Sequence, residues 1–166
     1  MDVQGLTTKQ SLLLNECRLE RKDYFAALAR LVALRSTCNR AKVGAIIVKD
    51  GRIISTGYAG APANSPHCTE VGCKLDDTGS CIRTVHAEAN AIAEVAMLGG
   101  NIAGSVMYCT MCPCINCAKL IAASHLSAVY YLDDYAKGSA AIDFLIYTNI
   151  KIQKLEERYE IQLSLK

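Results

Sequence analysis

Two short stretches constrain this chain more than any others, His86-Ala-Glu88 and Pro113-Cys114-Ile-Asn-Cys117. An imidazole and two thiolates are a standard donor set for zinc, and a catalytic zinc takes three protein ligands and keeps a fourth position open. His86, Cys114 and Cys117 supply that set. The flanking residues put each half at a helix start. "HAEANAIAEVAML" (86–98) is strongly helix-forming and stops at Gly99-Gly100, and a second helix is predicted over about 114–124. Cysteines three apart at a helix start share one side of the first turn, where the positive end of the helix dipole favours the thiolate. Pro113 suits that entry, since it has no N–H to lose and a fixed φ. Glu88 is close enough to His86 to reach the open metal position without being a ligand, which makes it the candidate proton shuttle. The fold must therefore bring two helix starts together. A closed zinc site that merely staples two helices would use the same residues, but it needs a fourth protein donor.

The rest of the chain supplies a sheet for those helices. "DYFAALARLVALRS" (23–36) spaces Phe25, Leu28, Ala29, Leu31 and Val32 as one helical face. "VGAIIVKDGRIISTGY" (43–58) is two apolar, β-branched runs around Asp50-Gly51, a hairpin signal. Residues 59–84, rich in Gly, Pro, Asn, Ser and Cys, have no periodicity and need something else to order them. Strands are predicted at 105–109 and 128–132 and a helix at 139–148, while the tail from Lys151 fits a short strand or a helix equally. Alternating strands and helices imply an α/β/α layered sheet.

Composition narrows the setting. Nine cysteines in 166 residues would suit a disulfide scaffold, but the count is odd and residues 1–16 lack the pattern of a secretory leader. Cytoplasmic thiols are expected instead. No apolar run is long enough for a membrane span. A net charge of +2, no tryptophan and two phenylalanines speak against a nucleic-acid groove lined with stacking residues.

Together the two opening stretches read H-x-E … P-C-x-x-C, the signature of zinc-dependent nucleobase deaminases. In these, activated water attacks the amine-bearing carbon. Across roughly 23–148, "RSTCNRAKVGAIIVKDGRIISTGYAGAP", "HCTEVGC", "CIRTVHAEANAI" and "PCINCAKLI" resemble the deoxycytidylate (dCMP) deaminase family of the cytidine deaminase-like superfamily, in its bacterial and phage, competence-operon-like branch. The resemblance implies a three-layer α/β/α fold with a central mixed sheet. It implies one domain over 1–166, with a core at about 23–148 and terminal extensions at 1–20 and 151–166. It also implies a catalytic zinc, a homohexamer, and hydrolysis of dCMP to dUMP and ammonia. Family members are often controlled by dCTP and dTTP near the hairpin, for which Lys42 and Lys49 are the candidates here. The alternatives are a deaminase of another aminated base (modified dCMP, dCTP, or a base in RNA or DNA) and a non-catalytic zinc module.

A nucleotide needs a phosphate partner. Basic residues outnumber acidic ones between Arg18 and Lys42. The resemblance puts a phosphate contact at Arg40, with Arg35 as a possible second, although arginines on an amphipathic helix usually face solvent. Tyr58, Ala59 and Asn64 are the further substrate-binding candidates. The family usually reads Gly-Tyr-Asn-Gly where this chain has Gly57-Tyr58-Ala59-Gly60, and alanine cannot make the hydrogen bond of that asparagine. Asn64 or Asn39 would have to replace it.

The other cysteines divide in two. Cys38, Cys68, Cys73 and Cys81 could hold a second, structural zinc that orders 59–84, with His67 as the alternative ligand; the bland alternative is scattered buried thiols. Relatives are similar in carrying a second metal at matching positions. Cys17, Cys109 and Cys112 are expected to pack, and His125 to cap a helix or lie on the surface.

Overall fold

The computed structural model describes residues 18–157; the expectations for Cys17 and for most of the two terminal extensions fall outside them. Phe25, Ala26, Ala29 and Ala33 form the buried face of α1 (Arg21–Ala33). This helix closes earlier than the predicted 23–36, because the N–H groups of Arg35 and Ser36 bond back to Val32 and Ala33 in a tight turn. The hairpin forms as predicted, from β1 (Gly44–Lys49) and β2 (Arg52–Tyr58). Asp50 and Gly51 take φ of 51° and 75°, the two-residue turn whose twist matches paired strands.

Beyond the hairpin lie α2 (Cys68–Val71), α3 (Ala87–Met97), β3 (Val106–Met111), α4 (Ile115–Ala123), β4 (Ala128–Asp133), α5 (Ser139–Tyr147) and β5 (Lys151–Lys154). The tail, open between strand and helix in sequence, is thus a strand. The sheet order is β2-β1-β3-β4-β5. Pairing is antiparallel from β2 to β3 and parallel from β3 to β5, so the sheet is mixed. The crossovers β3–α4–β4 and β4–α5–β5 step the same way along the sheet, and right-handed connections then put both helices on one face. There they join α3.

Side chains alternate between the faces as strand geometry requires. Ala45, Ile47, Met107, Cys109, Val129 and Tyr131 face α3, α4 and α5, while Ile46, Val48, Tyr108, Tyr130 and Leu132 face α1. The central strands are buried on both sides, which is why they read as continuous apolar runs. The result is the expected three-layer α/β/α fold. Among the described residues no helix is long and apolar enough to cross a membrane.

One close contact sets the position of α3. A Cβ on Gly57 would lie 2.2 Å from the Ala87 carbonyl oxygen and 2.4 Å from the Ala91 nitrogen. Beside it, the Ser55 hydroxyl donates to the Ala91 carbonyl (2.6 Å) and the Thr56 N–H donates to Glu94 (3.2 Å). Gly57→Ala is expected to cost about 1–3 kcal/mol by forcing helix and strand apart, read as a lower urea midpoint. An unchanged midpoint would mean that this contact does not hold α3 in place.

Candidate active site

In α/β sheets, ligands gather beyond the carboxyl ends of the parallel strands. Here that end collects Met111, the last residue of β3, Cys112 just after it, and Tyr135, Ala136 and Lys137 after β4. Because β1 runs antiparallel to β3, pairing Ala45 with Cys109, the residues that enter β1 and leave β2 reach the same end. Arg40, Ala41, Val43 and Ala59 arrive this way. The outcome is a cavity of about 560 Å³, also lined by Cys38, Cys81, His86, Glu88 and Cys114.

His86 is the N-cap of α3 and Cys114 the N-cap of α4. Their carbonyls accept the first helical bonds, from the N–H groups of Asn90 (3.0 Å) and Ala118 (2.9 Å). The His86 Nδ1 lies 3.4 Å from the Cys114 Sγ and 3.5 Å from the Cys117 Sγ. One nitrogen and two sulfurs, all within 4.8 Å of one another, are an arrangement that a zinc ion fits.

The thiols themselves call for a cation. A hydrogen bond from the Cys117 thiol, against the effect of burial and aided by His86, brings Cys114 down to about 3. The resulting thiolate, together with burial, pushes Cys117 far up. Alone, the pair releases one proton readily and holds the other. Both become thiolates only beside a positive ion.

Glu88 is 4% exposed. Burial pushes its carboxyl above the usual carboxylate range, an effect offset in part by its own backbone N–H and by His86. Cys112, also on the cavity wall, is pushed up to about 11 by burial and by the charges of Asp134 and Glu88, so it stays a thiol. Cys109 is 1% exposed and packs in the core. His125, exposed at a φ of 55°, ends α4. These fit the packing and capping roles expected of them.

A second cluster stands beside the cavity. Cys68, Cys73 and Cys81 have their sulfurs within 4.8 Å of one another. The backbone between the last two folds into a small hairpin, with a bridge between Leu75 and Cys81 and a bond from the Asp76 N–H to the Ser80 carbonyl. Its tip, Thr78 to Ser80, lines the cavity. Against burial, backbone groups of Arg83 and Thr84 and the Thr84 hydroxyl bring Cys81 down to about 6. Cys38 and His67 do not join this cluster within that distance. Cys38 sits in the cavity wall, where its sulfur accepts the Arg40 N–H (3.4 Å), and His67 Nδ1 lies 3.1 Å from the Thr37 hydroxyl. The expected four-thiol set is therefore a three-thiol set within that distance, with Cys38 tied instead into the turn before β1 by the Arg40 N–H.

The cytidine and deoxycytidylate deaminase zinc-binding region, as a family model, matches residues 19–133. The chain belongs to this deaminase family. ComE operon protein 2 of Bacillus subtilis is 40% identical over 139 residues, covering 84% of this chain and 73% of that protein. The deoxycytidylate deaminase of Mycobacterium phage D29 is 40% identical over 119 residues, 66% of this chain and 91% of its own. Among solved structures, the dCMP deaminase of cyanophage S-TIM5 in complex with dCMP and dUMP is similar at a TM-score of 0.74 and 34% identity, covering 84% of this chain and all (100%) of that one. The protein is thus a deaminase-like hydrolase of a zinc-binding family.

Of the other substrate and effector candidates, Arg40 and Ala59 line the deaminase cavity; Arg35, Tyr58, Asn64, Lys42 and Lys49 do not. Tyr58 is held at the end of β2, where its carbonyl accepts the Asn90 amide (2.8 Å). Lys42 donates to the Ser36 carbonyl (2.6 Å) and Lys49 to the Asn101 carbonyl (2.8 Å). Asn39, which donates to the Cys68 carbonyl (2.7 Å), and the exposed Asn64 are both outside the cavity lining. Sequence reasoning missed Tyr135 and Lys137. Their signal was position alone, immediately past the carboxyl end of an apolar strand.

Proposed function

We propose that this chain hydrolyses the exocyclic amine of a free cytosine nucleotide, dCMP first among them, to give dUMP and ammonia. One observation carries the reading: a single cavity holds the buried Glu88 and the His86–Cys114 edge of the ligand set, with Arg40 exposed at its margin. Its support from outside the chain is a relative of similar fold in complex with dCMP and dUMP. His86, Cys114 and Cys117 would hold zinc, which supplies Lewis-acid activation of water. Glu88 takes a proton from the attacking water and passes it to N3, then takes the hydroxyl proton of the tetrahedral adduct and passes it to the departing amine, so that C4 gains a carbonyl oxygen, its C–N bond breaks and ammonia leaves. Ala59, Ala87 and Met111 give the base apolar walls. Arg40 receives the phosphate.

Ammonia release from a panel of cytosine, adenine and guanine bases, nucleosides and nucleotides tests the assignment. A preference for dCMP supports it, and turnover of a purine compound in place of any cytosine nucleotide overturns it. Arg40→Ala is expected to raise KM for dCMP by about 10-fold or more relative to deoxycytidine, the value of a charge-assisted contact. Equal effects on both would remove Arg40 from the phosphate. Ala59, 5% exposed on the cavity wall, favours a second reading in which the accepted substrate is a modified deoxycytidylate or dCTP, and the same panel separates these.

A second, structural zinc on Cys68, Cys73 and Cys81 belongs to this proposal, its fourth donor coming from outside the three. Metal analysis is expected to give two ions per chain, falling to one in Cys73→Ser; one ion in the unaltered protein would end the idea. Assembly into a homohexamer fits the exposed Met97 at the end of α3, Leu98 just after it and Leu120 on α4, and sedimentation tests it. Regulation by dCTP or dTTP would appear as a shift in the dCMP saturation curve when either is added. The eight described cysteines are free thiols, as a cytoplasmic location would require.

A further inference from the structure

The loop after β4 carries a cation that the preceding reading does not use. Lys137 is exposed and lines the catalytic cavity. Among the described residues it forms no hydrogen bond and no ion pair, although the acids before it do. Asp133 takes two bonds from Arg30, at 2.6 and 3.1 Å, and Asp134 is paired with Lys154. The negative charge of this loop is thus committed to partners in α1 and β5. The positive charge of Lys137 is left for the cavity.

The loop is also held firmly. The Cys112 N–H donates to the Asp133 carbonyl (2.8 Å) and the Gly138 N–H to the Tyr135 carbonyl (2.8 Å). Gly138 packs so tightly on Cys112 that a Cβ there would lie 2.9 Å from the sulfur. Arg40, also on the cavity wall, spends one guanidinium N–H on the Gly79 carbonyl. An arginine has five, so a planar edge remains for a ligand. Lys137 acts on the charge of Asp76, whose carboxylate already accepts from the N–H groups of Thr78 and Ser80 (both 2.9 Å) and from the Thr78 hydroxyl (2.7 Å). Lys137 contributes to holding that carboxylate ionised, yet the two form no ion pair within 4.0 Å.

We propose that Lys137 and Arg40 form a two-cation clamp at the cavity margin for the 5′-phosphate of the substrate, which makes Lys137 a specificity-determining residue. The inference rests on the nucleotide reading above and adds to it. A phosphate monoester carries close to two negative charges at neutral pH and presents three acceptor oxygens. One guanidinium matches one edge of it, and the ammonium of Lys137 supplies a point charge for the remainder. The buried floor, with Glu88 and the metal ligands, takes the base, while the two exposed cations take the other end. A nucleoside fills the floor and leaves both cations unpaired.

The test compares kcat/KM for dCMP and for deoxycytidine in the unaltered protein, Lys137→Ala, Lys137→Arg and, as an exposed lysine on α4, Lys119→Ala. The ratio of the two is expected to fall about 10- to 100-fold in Lys137→Ala, to recover largely in Lys137→Arg, and to hold in Lys119→Ala. A ratio in Lys137→Ala equal to that of the unaltered protein overturns the clamp. Should no cytosine compound be a substrate, the nucleotide reading fails and the clamp is judged separately by thermal stabilisation with inorganic phosphate. Stabilisation that is lost in both Lys137→Ala and Arg40→Ala keeps the anion site; stabilisation that is absent, or that survives Lys137→Ala, rejects it.

Discussion

Glu88→Gln is expected to lower kcat by about two to four orders of magnitude, the range for removing a general acid and base, while bound zinc stays at the level of the unaltered protein. Glutamine keeps the size of the side chain but cannot take up and return a proton. The sign of a second effect follows from burial. Because burial holds Glu88 above the ordinary glutamate value in the folded chain, its contribution to stability is fully present below that ordinary value and is lost as pH rises through the folded pKa. In metal-free protein the Gln variant, which carries no such charge, should therefore unfold at a higher temperature than the unaltered chain at neutral pH. That advantage should close in acid. Turnover near the original rate would remove Glu88 from proton transfer, and a Gln variant that is less stable at every pH would show that burial of the charge is not what raises its pKa.

Cys117→Ala is expected to abolish tight metal binding, and turnover with it. The remaining imidazole and thiolate give two donors where a catalytic zinc takes three. The pH dependence in the unaltered protein should be steep, with a definite direction. Bonding to Cys114, ahead of the opposing effect of burial, holds the His86 imidazolium above the ordinary imidazole value, and Cys117 keeps its proton strongly. Metal must displace both protons, so its affinity falls as pH drops, beginning above the ordinary imidazole range. Competition with a chromogenic chelator across neutral pH measures this. Affinity independent of pH would exclude these groups as ligands.

Much of the site was legible before any coordinates because its chemistry is written at short spacing. His86 and Glu88 lie two residues apart, Cys114 and Cys117 three, and each pair sits in the first turn of a helix whose start is marked by local residues. The hairpin was equally plain, since Asp50-Gly51 tolerates the positive φ that its turn demands. The long unpatterned segment was a different matter. Its short helix is closed by the Glu70 carboxylate on the His67 N–H, and its bridges from Gly60 to Val85 and from Leu75 to Cys81 pair residues that no periodicity announces. Arg30 shows the same limit. In sequence it belongs to a basic stretch that could serve a phosphate, whereas in the fold it is taken up by Asp133 and Glu157.

By itself, then, the sequence determined the reaction chemistry and the layered α/β class, because donor identity, helix starts and strand periodicity are local properties of neighbouring residues. Only the tertiary structure decided which groups surround that chemistry: Cys38 in the cavity wall and outside the thiol cluster, Tyr58 outside the cavity lining, and Lys137 and Arg40 lining one cavity. Those placements follow from strand order and direction in the mixed sheet, where the ends of β1, β3 and β4 meet across long stretches of chain. No spacing in one dimension encodes that meeting, since it is fixed by the combined burial of two sheet faces.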